Sequence, residues 1–441
     1  MTNLQLHSKR EPQLALPSSV AEANSGVLYT GMLKGYYVPN TNYYNVLPID
    51  VEIAKDKSTI LGEILEYDPL AELHDEELKC IKFLDVEIDQ TKTAIERFRE
   101  IRSRKISDEN VTYVKNFLRN KITIDVDSSI PFLIGWWKGK KLHLLQIDTL
   151  YEVKIESYAL QMDVFSRNVG ILESSVMLQK RAVFIGCGSV GSLVAVELAK
   201  AGVGYFMLID NDIFGYHNIC RHQCGIYDVG RLKTDALAER ILQINPYATV
   251  IKKNCMIQEV DRDEMKDFCN KDAIFIGGAD NREGDLYASD FALELDIPFV
   301  SIGCWERAFA GEIFYCLPKG MPTYRDFLKA MGYISGRVTQ NRRFYTAEED
   351  LEKVSFEPGI SADVNFITII GVKIVLDLLN RDTPGFIQRL IPNLTQYTLV
   401  CNTNNPEIGG EQAEIFKYPL QVTTSIYITC LLYTSPSPRD Q

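Results

Sequence analysis

Residues 181–233 leave the chain little choice of fold. Ala182-Val183-Phe184-Ile185 is an apolar run that reads as a buried strand. Gly186-Cys187-Gly188-Ser189-Val190-Gly191 comes next, a G-x-G-x-x-G turn. Leu193, Val194, Leu198 and Ala199 then recur at helical spacing until Gly202 ends the helix. A second apolar run, residues 205–209, delivers Asp210 at its end. Strand, glycine turn, helix, strand and acid in that order predict a β-α-β unit that binds a nucleotide. Gly186, Gly188 and Gly191 let the backbone approach a phosphate, and the helix that opens at Ser189 offers it unpaired N–H groups and a partial positive charge.

The residues beyond Asp210 narrow the nucleotide. Asp210-Asn211-Asp212 leads into Asn218-Ile219-Cys220-Arg221-His222, then Gly230-Arg231-Leu232-Lys233. Two cations and an amide downstream of a mononucleotide pocket have little use at an NAD site. They suit a site that breaks the α–β bond of ATP, where negative charge builds on the α-phosphate and the departing pyrophosphate. Further on, residues 273–281 read as a strand ending in Gly277-Gly278-Ala279-Asp280-Asn281. Continued alternation of strands and helices to residue 379 predicts an α/β, Rossmann-like, doubly wound and mostly parallel sheet, with ligands at the carboxyl ends of its strands.

These motifs resemble the ThiF/MoeB/ubiquitin-activating-enzyme superfamily: a Gly-rich turn, a D-x-D strand end, an N-L-x-R-Q-like loop, a G-x-x-K helix start and a later D-N. The likeness spans about residues 165–379. It implies ATP and Mg²⁺ as the bound groups and adenylation of a protein carboxylate as the reaction. Carried over residue by residue, Asp210 accepts ribose hydroxyls, with Asp212 beside it as either a ligand or a structural cap. Asn218 and Arg221 orient phosphates, Lys233 neutralises the α-phosphate, and Asp280 with Asn281 binds magnesium and nucleotide. Phe165-Ser166-Arg167-Asn168 resembles the superfamily's R-Y-x-R-Q segment, which makes Arg167 either an arginine finger reaching the partner protomer's ATP or an exposed linker residue. His222 stands where the superfamily more often has Gln, and either donates to a phosphate or packs. The implied partners are a ubiquitin-like or sulfur-carrier protein, a conjugating enzyme and a second copy of the chain.

Cysteine usage bears on two further expectations. Relatives often carry two C-x-x-C pairs around a zinc ion. Here Thr323 and Asp326 stand where the first pair would be, and Cys401-Asn402-Thr403-Asn404 keeps half of the second, so no structural zinc is expected. For a thioester-forming thiol the candidates are Cys304 and Cys316, with Cys304, at a strand end, the better one; a buried structural thiol is the alternative. Ten cysteines scattered through 441 residues suit reduced thiols and a cytoplasmic setting better than a disulfide framework.

The formal net charge of −12 argues against a general nucleic-acid or membrane-surface binder, and no apolar run reaches the ~18 residues of a membrane span. Residues 1–25 read as a flexible lead-in and 26–165 as an α+β recognition or dimerisation module. Within it, residues 70–105, including Cys80, read as surface helix and residues 130–147 as a hairpin turning at Lys138-Gly139-Lys140-Lys141. The adenylation domain is expected over 166–400. Residues 401–430 then form a β-like segment taken as truncated, and the Ser/Pro-rich 431–441 are taken as artefactual. Three other functions stay open: a partner subunit that keeps the fold but binds nucleotide weakly, an NAD(P)-dependent oxidoreductase, and a tRNA-base dehydratase.

Overall fold

The computed structural model of the protein describes residues 163–279, 282–331 and 358–426. In the N-terminal region it describes 11–17, 35–38, 41–46, 52–53, 60–61, 64–66, 80–81, 133–138, 141–146 and 151–158. The chain divides into two compact units, residues 1–163 and 164–441.

The described residues of the first unit are mostly strand. A six-stranded sheet runs in the order Lys154–Tyr158, Gln13–Pro17, Tyr43–Val46, Gly35–Val38, Ile64–Glu66, Cys80–Ile81. The lead-in expected to be flexible therefore supplies an interior strand: Gln13–Pro17 pairs with strands on both sides and buries Leu14 and Leu16. Cys80, expected on a helix, lies in a strand paired with Ile64 and Leu65. The remaining residues of the expected helical stretch lie outside the described residues. The strands of the expected hairpin are present: Leu133–Lys138 pairs antiparallel with Lys141–Gln146, and residues 139–140 between them lie outside the described residues.

The second unit is built on eight strands. In chain order they are β1 (Arg181–Ile185), β2 (Tyr205–Ile209), β3 (Thr249–Lys253), β4 (Ala273–Gly277), β5 (Phe299–Cys304), β6 (Ala310–Cys316), β7 (Tyr397–Cys401) and β8 (Gln421–Ile426). The principal helices are α1 (Ser189–Lys200), α2 (Lys233–Ile244), α3 (Arg262–Phe268), α4 (Arg282–Glu294), α5 (Tyr324–Met331) and α6 (Ser361–Leu379). The sheet order is β3-β2-β1-β4-β5-β6-β7-β8. The pairs from β3 through β5 are parallel, and those from β5 through β8 antiparallel.

Successive side chains of a strand point to opposite faces, and both faces here are covered. Ala182 and Phe184 of β1 pack into a core with Val194 and Leu198 of α1, Leu237 and Ile241 of α2, and Ile367, Ile374 and Val375 of α6. Val183 and Ile185 pack into the opposite core with Met265 and Phe268 of α3, Phe291 of α4 and Phe327 of α5. That double burial is why these strands read as unbroken apolar runs. Strand order reverses at β1, with β2 on one side and β4 on the other, which opens a crevice beyond the carboxyl ends of these strands.

The positions expected to have lost their zinc ligands serve another purpose. Thr323 and Asp326 form a reciprocal cap at the start of α5: Thr323 Oγ1 donates to Asp326 Oδ2 at 2.8 Å, and Asp326 N–H donates back to Thr323 Oγ1 at 3.2 Å. The eight cysteines among the described residues of the second unit are free thiols, and among the described residues no helix is long and apolar enough to cross a membrane.

Candidate nucleotide site

The glycine turn leaves β1 and enters α1 with little room to spare. Gly186 has φ +91°, a conformation side chains rarely adopt, and a Cβ there would lie 2.9 Å from Cα of Ala279. Gly191, in the first turn of α1, faces the carbonyl of Gly186, and a Cβ would come within 2.0 Å of that oxygen. These two glycines press helix, turn and β4 together. Gly188 differs, because nothing lies within 4 Å of the position its Cβ would take. It is the N-cap residue of α1 and no side chain caps that helix. The first-turn N–H groups, from Ser189 onward, therefore have no acceptor within the helix, and the space beside Gly188 at the helix entrance is open, the arrangement an anion needs. The turn fits a phosphate group on its own geometry.

Asp210 holds that turn. One carboxylate oxygen accepts the N–H of Cys187 at 2.7 Å and the other accepts the N–H of Asp212 at 2.8 Å. Each oxygen keeps a lone pair for a further donor such as a ribose hydroxyl. Burial raises the Asp210 carboxyl above its ordinary range; the two backbone N–H bonds and the Lys233 ammonium pull the other way.

Lys233 is brought to the same place by the start of α2. Its Nζ lies 2.7 Å from Asp212 Oδ2, and its own N–H donates to the carbonyl of Asp212 at 3.0 Å. The lysine side chain is 11% exposed while Asp212 is 64% exposed, so the ammonium sits inside the crevice and its counter-ion at the rim. The charge of Lys233 acts on Cys187, Asp210 and His222 alike, which puts all four in one electrostatic neighbourhood. Thr234, fully buried, hydrogen-bonds Asn254 just beyond β3 and fixes where α2 begins.

The loop between β2 and α2 carries the remaining candidates. Asn218 closes a short helical turn: its Oδ1 accepts the N–H of Gly215 at 2.8 Å, so only its amide NH₂ end remains to offer a phosphate. Arg221 is half-buried, and its guanidinium lies 3.7 Å from where a Cβ on Gly359 would be, alongside Ala308. His222 is buried and packs edge-on against Phe214, with ring centroids 4.9 Å apart. Its Nε2 is 2.7 Å from the carbonyl oxygen of Cys187, and its Nδ1 accepts the N–H of Cys224 at 3.1 Å. Both ring nitrogens are thus engaged within the protein, so neither is left to donate to a phosphate directly.

Asp280 and Asn281 are outside the described residues. The next residue, Arg282, starts α4 and reaches toward Glu312 on β6, a buried carboxylate that also accepts from Trp305 Nε1 at 3.1 Å and the Tyr397 hydroxyl at 2.8 Å. That network had no signal in the sequence beyond a glutamate in an apolar strand. Arg167 is exposed and near the far end of α1, where its neighbour Asn168 donates to the carbonyl of Lys200 at 2.9 Å. A helix of 12 residues is about 18 Å long, so Arg167 is remote from the glycine turn of its own chain. Cys304 ends β5 on the carboxyl edge of the sheet, two strands from β1, and is half-buried. Cys316 is fully buried, and burial pushes its thiol up to about 11. Among the described residues no three His, Cys, Asp or Glu side chains gather as a metal cluster.

Several known proteins are similar to this chain. A probable molybdopterin-synthase adenylyltransferase of Porphyra purpurea is 30% identical over 158 residues, covering 35% of this chain and 40% of that protein. The sulfur carrier protein ThiS adenylyltransferase of Bacillus subtilis is also 30% identical over 158 residues, 35% of this chain and 45% of that protein. The chain thus spans less than half the length of either relative. The crystal structure of Escherichia coli MccB with ATP superimposes with a TM-score of 0.41 at 17% identity, over 57% of this chain and 65% of that one. The ThiF family itself matches residues 158–401, a stretch running from the end of the first unit to the last residue of β7. With that match over more than half of its length, the chain belongs to the ThiF family.

Proposed function

We propose that the chain is an ATP-dependent adenylyltransferase that activates the C-terminal carboxylate of a small ubiquitin-like or sulfur-carrier protein. The observation that carries this is the position of Lys233. Its ammonium lies in the crevice, joined through Asp212 and Asp210 to the glycine turn, where the α-phosphate of a nucleotide seated on α1 would come. A dinucleotide site for hydride transfer has no step that calls for this cation. A subunit that had lost nucleotide binding would have no reason to keep turn, acid and lysine in register.

The chemistry then runs as an in-line displacement. The adenosine ribose hydroxyls donate to the remaining lone pairs of Asp210. The phosphates settle on the uncapped N–H groups of α1, with the open face of Gly188 leaving room for them. A carboxylate oxygen of the carrier protein attacks the α-phosphorus. The P–O bond to the β-phosphate breaks, and pyrophosphate leaves with the electron pair. The acyl-adenylate remains. Lys233, released from Asp212 toward the α-phosphate, and Arg221 offset the charge that builds there, and the Asn218 amide donates to a phosphate oxygen. Removing one such contact costs roughly 10²-fold in rate. Asp280 is the proposed magnesium ligand and Asn281 a nucleotide contact, and a bound Mg²⁺ would neutralise phosphate charge.

Two parts of the proposal concern partners. Arg167, remote from its own glycine turn, serves the ATP site of a second protomer in a homodimer. Cys304 is the proposed acceptor if the adenylate passes on as a thioester to a conjugating enzyme, since Cys316 is too buried to react. The test of the whole is ATP–pyrophosphate exchange: radiolabelled pyrophosphate enters ATP only when a carrier carboxylate is present. Protection of the protein by NAD and not by ATP would replace this function with the oxidoreductase one.

A further inference from the structure

The two peptide groups flanking Cys187 are each held by a side chain from a different loop. The N–H side is held by Asp210 at the end of β2, at 2.7 Å. The carbonyl side is held by His222, 35 residues along the chain, at 2.7 Å. The tautomer is set by the second ring nitrogen. Nδ1 faces the N–H of Cys224 at 3.1 Å and must present a lone pair to it. The proton is then on Nε2, which donates to the Cys187 carbonyl. A protonated ring would have a hydrogen on Nδ1 facing the Cys224 N–H, so only the neutral ring satisfies both bonds. The adjacent Gln223 N–H donates to Ser192 Oγ at 3.4 Å, a second tie between this loop and α1.

We propose that His222 is a positioning residue for the phosphate seat: as a neutral imidazole with its proton on Nε2, it works with Asp210 to set the peptide planes around Cys187. Those planes decide where the N–H groups from Gly188 onward point. This role rests on the adenylation function proposed above. The groups around the ring agree with a neutral state. Burial, with the Lys233 ammonium nearby, holds His222 down at about 4, while its bond to Cys187 and the carboxylate of Asp228 oppose the shift. Cys187 and Cys224 are buried thiols, both raised by burial, so neither places a charge against the ring at neutral pH.

The experiment compares the wild-type chain with His222→Gln and His222→Phe. Gln carries both a donor and an acceptor, whereas Phe fills the space against Phe214 and offers neither. Each is assayed for ATP binding by titration, for ATP–pyrophosphate exchange, and for thermal midpoint. The expected result is a rise of about tenfold or more in KM for ATP in His222→Phe with kcat changed far less, and near wild-type values in His222→Gln. Should His222→Phe fail to fold, ¹⁵N NMR of the wild-type imidazole decides: a protonated Nε2 and a bare Nδ1 at pH 7 are expected, and the reverse tautomer or a charged ring overturns the proposal. If the wild type binds ATP and folded His222→Phe binds it equally well, His222 is a packing residue and the inference falls alone. If the wild type ignores ATP, the adenylation function falls and takes this role with it.

Discussion

Two glycines three residues apart should respond to alanine in opposite ways. At Gly191 the added methyl would sit 2.0 Å from the Gly186 carbonyl, backbone against backbone, and neither can rotate aside. The helix must lift off the turn, and overpacking of this kind costs about 1–3 kcal/mol. In a unit of this size that lowers the thermal midpoint by roughly 2–12 °C. At Gly188 the methyl meets nothing within 4 Å, and the residue has φ −77°, which alanine tolerates. The structural cost is the poorer N-cap, about 1 kcal/mol or less. The functional cost is larger, because the methyl occupies the space in front of the uncapped N–H groups. A phosphate pushed off two charge-assisted hydrogen bonds loses about 3 kcal/mol or more, roughly 10²-fold in affinity. Calorimetric titration with ATP and a thermal melt read the two effects separately. Gly188→Ala should keep its fold and lose ATP; Gly191→Ala should melt early. If Gly188→Ala binds ATP as the wild type does, the phosphate is not seated at this helix.

The same geometry sets further outcomes. Lys233→Ala should lower pyrophosphate exchange by about 10²-fold with little change in thermal midpoint, since its partner Asp212 is left at the exposed rim. Mixing an Arg167→Ala chain with a Lys233→Ala chain should restore part of the exchange lost by each alone, because one site of the mixed dimer would have both residues; no recovery would place Arg167 outside the chemistry. Cys304→Ser should retain exchange and lose any thioester seen on non-reducing gels with a labelled carrier. His222, held at about 4 against an ordinary 6.5, makes stability depend on acid. The unfolded chain takes the proton first, so stability is full above about pH 6.5, falls by up to about 3 kcal/mol as pH drops to 4, and levels off below that. Asp210, raised by burial, acts in the opposite sense, so the measurement is the difference between wild type and His222→Gln in urea melts across that range.

The parallel half of the sheet was legible because strands covered on both faces are largely apolar runs, and β1, β2, β4 and β5 are such runs, while the edge strand β3 is half-exposed and shorter on apolar residues. The convergence of the glycine turn, Asp210 and Lys233 was legible because the pattern they belong to has fixed spacing along the chain. What could not be read depends on contacts between distant segments. Gln13–Pro17 is short, ends in proline and comes after a polar stretch, and only its two neighbours in the sheet make it a strand. Cys80–Ile81 is a strand for the same reason, although the charge pattern around it has helical spacing. His222 had two open roles until its partners, the Cys187 carbonyl and Cys224 N–H, were seen. Glu312 shows the limit most plainly: within Ala310–Cys316 nothing marks it as inward-facing, and its partners Trp305, Tyr397 and Arg282 come from three other segments.

The most direct test of the central claim is pyrophosphate exchange by the purified full chain against a panel of ubiquitin-like and sulfur-carrier proteins with free C-termini, run beside Lys233→Ala. Label should enter ATP with at least one carrier, not at all without it, and about 10²-fold more slowly with Lys233→Ala. An exchange rate untouched by that substitution would contradict the adenylation chemistry, as would a wild-type chain that binds no ATP at all.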